Sequence, residues 1–192
     1  NFIWEAWLKV RTNNSQEAVM NPVQNKGLVE YQQLMTECFK EYYRVLKPNR
    51  WMTVEFHNSK NSVWNAIQES LLRAGFIIAD VRTLDKKQGS FKQVTTTSAV
   101  KQDLVISCYK PKDSFRREFL SHAGSEDTAW AFVRQHLANI PVVVVKNDRI
   151  EVVAERQAYL LFDRMVAYHI MQGIPVPLDA TDFYRGLDEK FL

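Results

Sequence analysis

In WMTVEFHNS, residues 51–59, an apolar run ends in a cluster of polar side chains: Glu55, His57, Asn58 and Ser59. A carboxylate, an imidazole, an amide and a hydroxyl so close together could exchange hydrogen bonds and protons with a bound ligand, and an imidazole titrates near neutrality. The same residue types also satisfy backbone groups at a strand end or cap a following helix, so both roles stay open for His57 and Asn58. A second cluster lies in GSFKQVTTTSAVKQ, residues 89–102. There Lys92, Gln93 and Lys101 could touch phosphate or a base edge, and Phe91 could stack on a base. A solvated, Thr-rich hairpin with incidental lysines describes that stretch equally well.

Other chemistry-bearing residues are scattered. His122, His136 and His169 have no carboxylate or cysteine at metal-ligand spacing, so no metal site is expected. Cys38 and Cys108 form no CxxC pair and read as two buried thiols in a reducing cytoplasm. Trp4, Trp7, Trp51, Trp64 and Trp130 stand at helix or strand spacing, which favours core packing over stacking platforms. No nucleophile–His–carboxylate arrangement can be argued from spacing.

The elements that must position these residues follow from periodicity. FIWEAWLKV reads as a helix or tight turn against a core, and the polar segment 11–27, with Pro22 and Gly27, as a long loop. From Leu28 to Leu46 apolar residues, including Cys38 and Tyr42, recur every three or four positions, as in an amphipathic helix. Lys47-Pro48-Asn49 ends it, and residues 51–56 then form a strand. Asn61 or Ser62 can cap the next helix, which Gly75 closes, and Phe76 to Val81 and Asp103 to Tyr109 read as two more strands. After Pro111 come a helix near 114–122, a second opened by Ser125-Glu126-Asp127, a hairpin around 146–149, a helix over 156–172, and a short last helix capped by Thr181 or Asp182.

A chain of 192 residues with 46% apolar composition can bury a real core, and no apolar run approaches the roughly 20 residues of a membrane-spanning helix. The start at Asn1 lacks the features of a signal peptide, and the chain reads as a piece of a longer protein. Charge is uneven: residues 44–112 carry 12 Lys and Arg against 5 Asp and Glu, whereas the segments on either side are slightly acidic. A basic middle suits a polyanionic partner, and equally a solvated lysine-rich surface.

The order of these segments is similar to the second half of a class I S-adenosylmethionine-dependent methyltransferase. FIWEAWL, YYRVLKP, WMTVEFHNS, LLRAGF, SFKQV and DLVISCYKP together resemble large bacterial DNA methylases that modify an exocyclic amino group, and LLFDRMVAYHIMQGIPVPL with DFYRGL resembles the region after their catalytic domain. YYRVLKP marks only the broad class; WMTVEFHNS with DLVISCYKP is more specific.

The resemblance implies an α/β fold. Residues 1–112 form a Rossmann-like half-sheet, parallel strands with an antiparallel edge pair, and residues 113–192 a mainly helical appendage with a β-hairpin. It implies S-adenosylmethionine as cofactor, DNA as substrate at adenine N6 or cytosine N4, a place in restriction-modification, a cytoplasmic location and no membrane partner. Glu55, His57, Asn58 and Ser59 would line a pocket, and Lys92, Gln93 and Lys101 would meet DNA.

The family's Asp (or Asn)-Pro-Pro-Tyr tetrad and its Gly-rich loop are both missing from these 192 residues, so the fragment is expected to be inactive alone. Its partners would then be the remainder of the same polypeptide or a second copy joined through an exposed sheet edge. A fragment of an RNA or small-molecule methyltransferase, and a non-catalytic DNA-binding or assembly module, are the alternatives.

Overall fold

Three strands carry the fold, each with an alternation or burial pattern that fits its place. In the computed structural model, which describes residues 2–58, 60–85, 102–146, 148–151 and 153–191, they are β1 (Trp51–Phe56), β2 (Ile77–Asp85) and β3 (Gln102–Tyr109). The order across the sheet is β1-β3-β2, and both pairings are antiparallel, Trp51↔Tyr109 to Phe56↔Leu104 on one side of β3 and Ile77↔Tyr109 to Asp85↔Gln102 on the other. The expected antiparallel β2–β3 pair is present. The expected parallel pairing is not: β1 and β2 point the same way, but β3 lies between them. The burial patterns supply the reason. Leu104, Ile106 and Cys108 on one face and Asp103 and Tyr109 on the other are all buried, which suits a central strand, whereas β1 alternates exposed and half-buried residues, which suits an edge.

Two helices cover the first face. These are α2 (Leu28–Val45) and α3 (Asn61–Arg73), which pack Phe39, Ile67 and Leu71 onto Ile78, Leu104, Ile106 and Cys108. The side chain of Glu30 accepts from the Gly27 N–H at the start of α2, and Lys110 Nζ donates to the carbonyls of Tyr43 and Leu46 at its end, where a cation also favours the helix dipole. Asn49 takes the left-handed conformation (φ 59°) expected after Pro48. Gly75 (φ 102°) turns the chain from α3 into β2 beside the Tyr43 ring. The expected cap at Asn61 or Ser62 is displaced: Lys60 holds the cap position, and Asn58 Oδ1 accepts from its N–H at 2.8 Å. Cys38 is exposed rather than buried, because the face of α2 turned to the sheet runs through Met35, Phe39 and Tyr43.

The helices after Pro111 cover the opposite face, so Asp113 marks the point where the chain crosses from one side of the sheet to the other. Helices α4 (Asp113–Ser121), α5 (Glu126–Asn139), α6 (Ala158–Met171) and α7 (Ala180–Phe191) bury Phe115, Phe119, Phe132, Leu161, Met165 and Phe183 against Ile77, Ala79 and Tyr109. The expected hairpin is present as β4 (Val144–Lys146) and β5 (Arg149–Glu151). Asp179, rather than Thr181 or Asp182, caps α7 by accepting from the Asp182 N–H. Helix α1 (Phe2–Leu8) forms as expected but buries none of its residues; Trp4 and Trp7 lie exposed and edge-to-face against each other at 5.9 Å, which corrects their assignment to the core.

Candidate functional site

The second face of the sheet is divided. Near the start of β1 it is apolar, with Trp51, Tyr109 and Ile77 side by side on the three strands; Tyr109 and Ile77 are covered, whereas Trp51 is partly exposed, against its expected place in the core. The next rows are polar: Thr53, Ser107 and Asp80, then Glu55, Val105 and Arg82. Beyond them, past the carboxyl end of β1, His57 meets Asp103 of β3. Directly opposed residues of an antiparallel pair share a face, so register alone assembles this patch from three separate segments.

An irregularity in β2 completes it. Ile78 pairs with Cys108 and Asp80 with Ser107, leaving Ala79 as an extra residue. This bulge puts Asp80 and Arg82 on the polar patch and Val81 in the apolar core against α3, the reverse of what strict alternation from Ile78 would give.

His57 Nδ1 lies 2.6 Å from Asp103 Oδ1, with the imidazole 47% exposed and the carboxylate 1% exposed. An N–H at Nδ1 donating to that buried carboxylate fixes the ring and turns Nε2 outward; in the neutral ring Nε2 carries the lone pair and is a positioned proton or hydrogen-bond acceptor. Glu55 stands on the same face and is exposed. Asn58 has the other role the sequence left open: its side chain accepts from Lys60 and its carbonyl accepts from Trp64 Nε1 at 2.7 Å, so it fixes the entry to α3. Ser59, Lys92, Gln93 and Lys101 lie outside the described residues, as does Phe91.

Sequence reasoning named Glu55 and His57 but missed Asp103, Asp80, Arg82 and Ser107. A polar residue opening the apolar run DLVISCY was the available signal for Asp103. Its pairing with a histidine 46 positions away depends on strand register.

Beneath the sheet lies a second polar contact that is enclosed. The Tyr109 hydroxyl and His136 Nδ1 share a hydrogen bond of 2.9 Å, and the imidazole stacks on Phe132. Burial, with the Arg164 and Arg156 charges adding to it, lowers the His136 pKa to about 3. Burial likewise raises the Tyr109 hydroxyl well above its ordinary value. Both groups are neutral at physiological pH, and their place is in the core.

Among the described residues, no group of three or more His, Cys, Asp or Glu could hold a metal ion, and no helix is long and apolar enough to cross a membrane. No protein-family model, curated protein or solved structure matches the chain.

Proposed function

We propose that the chain is the carboxyl-terminal part of an S-adenosylmethionine-dependent DNA amino-methyltransferase, acting on adenine N6 or cytosine N4. The observation that carries this is the joining of the two most specific segments of the resemblance. Trp51–Phe56 of the first segment pairs along its length with Leu104–Tyr109 of the second, and the His57–Asp103 contact locks them together where β1 ends. β1 and β2 run in the same direction, and parallel strands of α/β sheets carry ligands outside their carboxyl ends, which on this reading gives Glu55 and His57 a substrate-facing role.

The described residues do not by themselves fit the cofactor. Gly75, Gly124 and Gly173 turn the chain after helices, Gly27 precedes one, and Gly186 packs on Trp130; none opens a strand-to-helix phosphate or nucleoside cradle. No transfer step is therefore assigned to them. On this reading the cofactor cradle and the Asp-Pro-Pro-Tyr tetrad belong to polypeptide outside these residues, which would also cover α1 and the outer edge of β1. His57 then contributes a fixed acceptor at the edge of the base pocket.

The test is transfer of a tritiated methyl group from S-adenosylmethionine to DNA by the longer polypeptide that carries this chain, with H57A and D103N beside the parent. Modified adenine or cytosine is expected from the parent, with a lower kcat in both variants. A parent product containing neither modified base refutes the assignment.

A further inference from the structure

The covered and open parts of the second sheet face meet at a cavity of about 440 Å3, within the usual range for small-molecule sites. Its sheet side is formed by Trp51, Asp80, Arg82 and Ser107, and its far wall by Ile140 and Pro141, with Glu155 closing one end. It shares Asp80, Arg82 and Ser107 with the polar patch described above, but neither His57 nor Asp103 lines it, so it is separate from the contact at the end of β1.

The wall chemistry narrows the occupant. Each acid in the lining has a base beside it: Asp80 Oδ2 is 2.5 Å from Arg82 Nε, and the Glu155 carboxylate takes two contacts from Arg164, at 2.7 and 3.1 Å. A site whose charges are already matched holds a neutral ligand better than a free ion, because an ion would leave one wall charge uncompensated. Trp51 is 41% exposed and leans on Tyr109 at 5.4 Å, so its indole is a fixed, flat and partly open surface. Beside it the Asp80 carboxylate accepts, the Arg82 guanidinium donates, and the Ser107 hydroxyl does both. A flat ring with donors and acceptors on one edge matches this set. Residues 44–112, which supply Trp51, Asp80, Arg82 and Ser107, carry the chain's basic excess in sequence, which suits a base borne on phosphate.

We propose that this cavity binds a nucleobase, its face on Trp51 and its edge on Asp80, Arg82 and Ser107. The base arrives either in a single strand or as a free nucleoside. The inference goes beyond the methyltransferase assignment and does not depend on it, because it concerns binding by these 192 residues alone.

The test is fluorescence titration of the chain with single-stranded oligonucleotides, with nucleosides and with a methyl glycoside as a neutral sugar. W51F assigns the signal. D80N and R82Q report the edge contacts, and both side chains lie on the open face, so circular dichroism should match the parent. Saturable quenching by a strand or a nucleoside is expected, absent in W51F and at least about tenfold weaker in D80N and R82Q. Equal affinity for strand and nucleoside identifies the free nucleoside as the source. Binding confined to the strand, and weakening with salt, identifies nucleic acid. The proposal is overturned if neither ligand saturates up to about 5 mM, if the sugar binds better than the bases, or if both edge variants bind like the parent.

Discussion

Acid should weaken this protein through His136 in particular. The imidazole is fully buried between α5 and β3, shares a hydrogen bond with the Tyr109 hydroxyl, stacks on Phe132 and feels the charges of Arg156 and Arg164. Its pKa is about 3 in the folded chain against 6.5 ordinarily. Between those values the unfolded chain takes up a proton that the folded chain refuses, so stability is full above the unfolded value and declines as pH falls toward the folded one. From pH 7 to pH 4.5 this one group should remove about 2–3 kcal/mol, at about 1.4 kcal/mol for each pH unit below 6.5. Urea denaturation at the two pH values, on the parent and on H136Q, isolates the effect. His169, whose pKa burial also lowers, and every carboxylate remain in both proteins and cancel in the difference. The parent should lose about 2–3 kcal/mol more than the variant over this interval. Equal losses in the two proteins would refute a buried neutral imidazole at this position.

Thiol titration should find one reactive group in the folded chain and two after denaturation, because Cys38 is exposed while Cys108 is fully buried and its pKa is pushed up to about 12 by desolvation. Gly186→Ala should destabilise by about 1–3 kcal/mol in urea despite alanine's better helix propensity. The added Cβ would stand 2.5 Å from Trp130, whose ring is held by stacking on Phe183 at 5.5 Å. A gain in stability would show that the indole can shift aside.

Much of the framework was legible because local chemistry and global packing agree. Pro48 with Asn49, Gly75 and Gly173 punctuate the chain where expected, apolar spacing located α2, α3 and α6, a capping sequence opened α5, and apolar runs about a polar turn marked the hairpin of β4 and β5. Exposure of Trp4 and Trp7 was not legible, since helical spacing of apolar residues identifies a helix without identifying what covers it. Strand order was equally hidden: that β3 inserts between β1 and β2 is a tertiary choice, visible only afterwards in its burial on both faces. At the candidate site the sequence revealed the members that are contiguous, Glu55 and His57. It hid Asp103, Asp80, Arg82 and Ser107, which join them through pairings between distant segments.

Ala79 gives β2 one place where its length can change without cost to its faces. Excising that residue would leave Asp80 directly after Ile78 and still opposite Ser107, so Asp80, Val81 and Arg82 would keep their sides in a regular strand. Losing a residue beyond the bulge, Val81 for instance, would instead turn the following positions over and send Arg82 toward hydrocarbon. Chains with this architecture should therefore vary in length at position 79 far more readily than further along β2.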